Sequence, residues 1–339
     1  MFRSMTGSLE GDRFSRFCVI GLGNHARTKL IPALTANKQQ VVGVVTSQSY
    51  TGAPNFRCLE EALSILPSDT VFVISTPPAM HFEQALLVTK AGFDLILEKP
   101  AFVTRRDALE IVAESTRGGT VLAEGFMHRY TELYRRLMAW FRAERGSIVA
   151  VDATFVVPVM PKGTFRHDGF IASSSLYDIG CYVLSLFSDL DLPLDAFEIK
   201  QVLFPGDSHL EVLHLEGILG ALCANVRIGV HPSYTNMVSF RTNKGVTMTF
   251  SPFFYGRAGE KVILREFQSA ISNQVVRDYN AYANMFAIPR RGWLKDQAER
   301  AKRMIDVTAN LERLGEVLGT ARRGEILRQG KNTYLSNVF

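Results

Sequence analysis

Apolar and polar positions along the first third of the chain alternate between two periods. Phe17 to Ile20 is a short apolar run that leads straight into Gly21-Leu22-Gly23-Asn24-His25-Ala26. From Arg27 to Leu34 the apolar residues return at helical spacing. Val41 to Val45 is valine at every position but Gly43, the pattern of a strand buried on both faces. The alternation continues with a helix over Leu59 to Leu66, a strand over Asp69 to Ile74, and a break at Ser75-Thr76-Pro77-Pro78. A helix over His81 to Ala91 then stops at Gly92. A strand over Phe93 to Leu97 runs into Glu98-Lys99-Pro100, followed by a helix over Leu109 to Ser115 and a strand over Thr120 to Ala123. Strands alternating with helices predict a parallel, doubly wound α/β sheet.

The pattern changes in the second half. Ile148 to Val157 reads as a strand, and Phe197 to Val202 largely alternates apolar with polar. Short strands are expected at Leu222 to Ile228, Met237 to Arg241, Gly245 to Phe250 and Lys261 to Phe267. Gln297 to Leu318 reads as a long amphipathic helix whose stripe of Ala301, Met304, Ile305, Thr308 and Leu311 belongs to a core or a dimer interface. The expected organisation is a dinucleotide-binding domain over 1–127, with 1–15 a loose polar tail, and a second domain over 128–339.

Composition narrows the function classes. The 339 residues are 47% apolar and 21% charged, ordinary for a globular protein of two domains. The four cysteines are far apart with no CxxC pair, which speaks against a disulfide framework or a thiolate metal site and for a reducing cytoplasm. The first residues lack the apolar core of a signal peptide, and no apolar run reaches the ~18 residues of a membrane span. A formal charge of +5, spread along the chain without an aromatic and basic stripe, gives no nucleic-acid signature, although it suits anionic ligands such as nucleotide phosphates.

Candidate chemistry gathers at the predicted strand ends. A GxGxxA turn between a strand and a helix is the context of the dinucleotide fingerprint: Gly21 permits the tight turn, Gly23 lets a pyrophosphate approach the backbone, and Ala26 allows close helix packing. The helix N-terminus offers its N–H groups to the phosphates. An acidic residue at the end of the second strand would bind the ribose of NAD; here Val45 is followed by Thr46, Ser47 and Gln48, which favours NADP, with NAD still possible. No arginine stands beside them in the sequence. The glycine turn, Thr76-Pro77 and Glu98-Lys99 should meet in one crevice, because ligands of such sheets sit beyond the strand ends.

Five segments in this order, GLGNHA, STPPAMH, EKP, EGFMHRY at 124–130 and Asp178-Ile179-Gly180-Cys181-Tyr182, resemble the Gfo/Idh/MocA oxidoreductases. That family includes glucose–fructose oxidoreductase, inositol dehydrogenases and sugar ketoreductases. The resemblance implies a Rossmann domain followed by an α+β domain with an open, mostly antiparallel sheet that carries the substrate site and supports dimers or tetramers. It implies hydride transfer between NAD(P) and a sugar, keto sugar or nucleotide-linked sugar, with Lys99 of EKP handling the proton. Asp178 and Tyr182, four apart on a helix, would join it on one face. Tyr182 stands where many members have histidine, as in the glucose–fructose oxidoreductase and keto-sugar reductase branches. Ser173, Ser174 and Ser175 stand where related chains often have glycine. Asn24 is expected along the cofactor crevice, His25 and His81 are expected to line that crevice or cap helices, and Arg129, Tyr130 and Arg166 are expected against the substrate. No histidine or carboxylate spacing suggests a metal. The alternatives are a dehydrogenase of a free aldose or diol, and a dinucleotide-binding regulator without turnover.

Overall fold

A computed structural model describes residues 16–158, 174–203, 211–254 and 258–322. Arg166 and the tail at 1–15 lie outside the described residues.

The first sheet contains β1 (Arg16–Ile20), β2 (Gln40–Val45), β3 (Asn55–Phe56), β4 (Thr70–Ile74), β5 (Asp94–Leu97) and β6 (Leu122–Glu124) in the order 3-2-1-4-5-6, every neighbouring pair parallel. This is the Rossmann order, and its direction reverses between β1 and β4. A π-helical turn (Ala26–Leu30) leads into α1 (Ile31–Ala36), and α2 (Leu59–Ile65), α3 (His81–Lys90) and α4 (Arg105–Gly118) make the remaining crossovers. α4 begins four residues before the apolar spacing predicts, because the Thr104 hydroxyl accepts from Asp107 N–H and caps a charged first turn.

Among the described residues the second sheet has eight strands: β7 (Ile148–Val157), β8 (Phe197–Leu203), β9 (Val212–Leu219), β10 (Leu222–Val230), β11 (Thr235–Thr242), β12 (Val246–Ser251), β13 (Gly259–Phe267) and β14 (Ala270–Asp278). Their order is 14-13-12-11-7-10-9-8, antiparallel throughout except for β7 against β10. β9 and β14 go beyond the sequence expectation. β14 is an edge strand exposed along most of its length, so it lacks the alternation that burial of one face imposes.

One face of this sheet is covered by α5 (Glu132–Glu144) and α6 (Cys181–Asp189). Trp140 and Phe141 meet Phe240 at 5.6 Å between ring centroids, and Phe187 stacks on Phe197 at 5.2 Å. The chain then returns to the Rossmann layer through α7 (Ala281–Phe286), α8 (Arg290–Lys295) and α9 (Gln297–Arg322). α9 packs against α4, α6 and β6. Its Met304, Thr308 and Leu311 are buried within the chain, so the predicted stripe is core. At its start the Gln297 amide donates to Thr120 O (2.8 Å) and accepts from Leu122 N–H (3.2 Å), clamping the edge of the parallel sheet.

A buried carboxylate ties these layers together. Asp189, at the end of α6, accepts from Arg129 Nε (2.8 Å), the Tyr134 hydroxyl of α5 (2.8 Å) and Arg303 Nη1 of α9 (3.0 Å). Removing one partner of a buried pair leaves the other charge in a poor solvent. Asp189→Ala is therefore expected to lower the unfolding free energy by about 3–5 kcal/mol in urea titrations. Combining it with Arg129→Met should recover much of that loss.

Candidate functional site

The crevice lies where the C-terminal ends of β1, β4 and β5 face the start of α6. Gly21 closes the turn after β1 at φ +88°, with its N–H on Val45 O (3.0 Å). A Cβ there would stand 2.8 Å from Thr76 Cγ2 and 3.0 Å from Thr76 N, so both the dihedral and the space demand glycine. Gly23 is exposed, and no described residue lies within 4 Å of where its Cβ would be. Asn24 is exposed at the first helical turn, and Ala26 is fully buried beneath it. An open glycine backbone before a helix start fits the pyrophosphate of a dinucleotide. Thr46 and Ser47 follow β2 directly, with the Thr46 hydroxyl accepting from Gln48 N–H (3.0 Å).

Glu98 and Lys99 leave the end of β5 in different directions. Glu98 is buried, with Oε1 3.1 Å from His25 Nε2 of the glycine turn. Burial works to raise the Glu98 carboxyl, but His25 and then Lys99 and His81 outweigh it, and the net shift is downward. The His25 ring meets Tyr282 of α7 edge-on at 5.4 Å. Lys99 reaches across to the second layer, where Nζ donates to Asp178 O (2.7 Å) and Asp178 Oδ1 (2.9 Å). The same ammonium lies 4.6 Å from the centroid of the Tyr182 ring.

Asp178 and Tyr182 share a face although the backbone is not uniform between them. Leu176–Gly180 is a π-helical turn that passes into α6 at Cys181. A Cβ on Gly180 would stand 2.6 Å from Ile228 Cδ1, so glycine lets this turn approach β10 closely. Both π-helical turns of the described residues border the crevice, a placement such turns favour in functional sites. The Tyr182 hydroxyl donates to Met127 Sδ (3.4 Å), and its ring is walled by Phe126, His128, Phe155 and Phe254. His128 is fully buried, and neither ring nitrogen has a hydrogen-bond partner among the described residues. Burial holds its imidazole well below the usual range, so it packs as a neutral ring.

Three sequence expectations are corrected by position. His81 does not line the crevice; it is fully buried, with Nδ1 3.0 Å from Ala101 O and Nε2 2.9 Å from Thr76 O. It staples the two strand-end loops from behind. Arg129 turns away from the crevice to Asp189 and across the face of Phe126 (4.7 Å). Tyr130 packs on Trp293 (5.9 Å), and its carbonyl accepts from Asn284 Nδ2 (2.9 Å). Both had been expected at the substrate, but a half-buried charge and an aromatic ring found partners within the fold. Thr76 stays at the crevice with its hydroxyl on Gln84 Oε1 (2.6 Å), and Pro77 is exposed beside it.

Sequence reasoning missed Glu124, Tyr282 and Arg27. Glu124 ends β6 and accepts from Ala101 N–H (2.8 Å), holding the loop that carries Lys99; its position after an apolar strand was a usable signal. Tyr282 lies far along the chain and offered none. Arg27 donates from Nη2 to Gln48 Oε1 (3.0 Å) and from Nε to Leu22 O (3.3 Å), with its guanidinium 5.9 Å from the Tyr50 ring centroid.

Residues 15–126 match the sequence model of the Gfo/Idh/MocA oxidoreductases, described as an oxidoreductase family with an NAD-binding Rossmann fold. This domain belongs to that family. Among curated relatives, the chain is similar to a dTDP-3,4-didehydro-2,6-dideoxy-alpha-D-glucose 3-reductase of Streptomyces antibioticus, 29% identical over 50% of this chain and 54% of the relative. It is also similar to D-xylose 1-dehydrogenase (NADP(+)) 2 of Haloferax volcanii, 24% identical over 50% of this chain and 55% of the relative. The matched segment thus spans about half the length of each of these relatives. Over its larger part the fold is that of a 3-ketoreductase from Actinomadura kijaniata solved with NADP and TDP-benzene, at a TM-score of 0.74 and 19% identity, covering 88% of this chain and 96% of that one. An aldose–aldose oxidoreductase from Caulobacter crescentus superposes with the same TM-score of 0.74 at 16% identity, over 92% and 98% of the two chains. At such identities the likeness establishes the fold alone, a Rossmann sheet followed by a mostly antiparallel one.

The Glu124 carboxyl carries a testable consequence. Burial pushes it up to about 7, with Arg129 opposing and Asp189 and Glu98 adding to the rise. The folded state then holds a proton that the unfolded chain has released between roughly pH 4.5 and 7. Stability is lost as the pH rises through that window. Glu124→Gln keeps an acceptor for Ala101 N–H without the titration. Its unfolding free energy should gain on the parent by up to about 3 kcal/mol between pH 5 and 8, and a constant difference across that range would refute the assignment.

Proposed function

We propose that the protein is an NAD(P)-dependent oxidoreductase of a sugar or keto sugar, in the manner of the nucleotide-sugar 3-ketoreductases, with NADP as its cofactor. The observation that carries this reading is the Lys99 ammonium, held by Asp178 across the face of Tyr182 at the mouth of the Rossmann crevice. The regulator reading has no need of such a group.

The nicotinamide, when bound, supplies or accepts the hydride; the chain must orient the reacting carbon and manage one proton on its oxygen. The pyrophosphate belongs over Gly23 and the helix start, and Thr46 and Ser47 offer hydroxyls where an NAD enzyme presents a carboxylate. Lys99 then polarises the reacting carbonyl oxygen, and the Tyr182 hydroxyl, turning from Met127 Sδ to the substrate, donates the proton that completes the alcohol; in the oxidation direction the same groups withdraw it. Asp178 holds the lysine in place through its carboxylate and its backbone carbonyl. The aromatic wall around Tyr182 keeps bulk water from the reacting atoms. In this reading residues 1–127 hold the cofactor and 128–339 the substrate.

The test is turnover of keto sugars and their nucleotide-linked forms with NADPH, alongside cofactor binding by fluorescence. Lys99→Met and Tyr182→Phe should each lower kcat at least ~100-fold while leaving NADPH binding within about threefold. Binding without turnover in the parent protein, whatever the sugar, would favour the regulator.

The same reading extends to assembly. Leu264, Ile271 and Val275 are exposed on one face of β13 and β14, away from the helices. We propose that this open face pairs with a second copy. Sedimentation should give a dimer or larger at micromolar concentration and a monomer for Leu264→Glu/Val275→Glu; a monomeric parent would refute the pairing.

A further inference from the structure

The end of β2 holds an arginine that the sequence order conceals. From Thr46 to Leu59 the chain has no carboxylate, so nothing there can accept the two ribose hydroxyls of NAD as an acidic residue would. The same absence removes any repulsion toward a phosphate. Arg27 comes from the first turns of the helix after the glycine loop, nineteen places before Thr46 in the sequence, yet its guanidinium lies over this loop. It is pinned at two points, by Leu22 O on the glycine turn and by the Gln48 side chain beyond β2. Tyr50 supports it from one side. The pinned group therefore spans the gap between the pyrophosphate seat and the loop beyond β2, where the adenosine ribose of a dinucleotide lies in this fold.

The partners it now holds are neutral, an amide oxygen and a carbonyl oxygen. A phosphate dianion makes stronger, charge-assisted and bidentate bonds to a guanidinium than either. Beside it, Ser47 is exposed and the Thr46 hydroxyl, which accepts from Gln48 N–H, has its own proton to donate.

We propose that Arg27 is the residue that selects NADP, by binding the 2′-phosphate together with the hydroxyls of Thr46 and Ser47. The proposal rests on the dinucleotide reading above and names the determinant of its cofactor choice.

The full chain would be titrated with NADPH and with NADH, followed by cofactor fluorescence, for the parent, Arg27→Ala and Arg27→Lys. The parent should bind NADPH more tightly. Arg27→Ala should weaken NADPH about 10- to 100-fold while NADH stays within about threefold, which also reports that the variant is folded. Arg27→Lys should fall between, because it keeps the charge and loses the planar fork. Adenosine 2′-monophosphate should compete with NADPH in the parent and fail to do so in Arg27→Ala. Unchanged preference for NADPH in Arg27→Ala overturns the assignment and leaves the oxidoreductase reading standing. An equal loss of both cofactors also overturns it, since Arg27 would then only hold the glycine turn. No binding of either cofactor by the parent removes the dinucleotide reading itself.

Discussion

The reach of Lys99 to Asp178 is the constraint around which the two layers are arranged. One end is a residue just past a parallel strand; the other is a π-helical turn on the antiparallel layer. Both side chains are about nine-tenths buried, so neither charge has water to fall back on. A buried pair of this kind gains stability only when geometry and further hydrogen bonds offset desolvation. Here the lysine takes the carboxylate and the backbone carbonyl of the same residue, and the phenol ring lies against its other side. The position of the ammonium relative to the crevice is thus set jointly by both layers.

The groups around that contact are held from behind. His81 joins the loops after β4 and β5, Glu124 secures Ala101, and Gly180 allows the π-helical turn to sit against β10. α9 comes back from the second sheet to clamp β6 through Gln297 and to join Asp189 through Arg303. Supporting side chains of this sort decide how precisely a reacting group is placed, and they do so without touching a ligand.

Arg129 and Arg27 show how charge can be misread along a chain. Arg129 sits in a motif-like segment in the short turn Met127–Tyr130 that follows β6, and reads as a substrate contact. The fold instead gives it a buried carboxylate from a residue sixty places away, and a half-buried guanidinium takes such a partner because desolvation demands one. Arg27 stands nineteen places before Thr46 in the sequence, yet the turn of the helix carries it to the end of the neighbouring strand.

What the sequence determined by itself is the part governed by local rules. The glycine turn, the alternation of strand and helix, and the strand-end position of Lys99 follow from dihedral limits and from which faces must be buried, and all of these act over a few residues. The i, i+4 spacing of Asp178 and Tyr182 belongs to the same class. Tertiary structure alone decided which polar groups meet. Asp178 to Lys99, Asp189 to Arg129 and Arg303, and Arg27 to Gln48 are pairs separated by 79, 60, 114 and 21 positions. It also decided that His81 is a staple and that α9 is core. No periodicity encodes such pairs, because they arise when two separately patterned layers bury their faces against each other and the remaining polar groups must find partners inside.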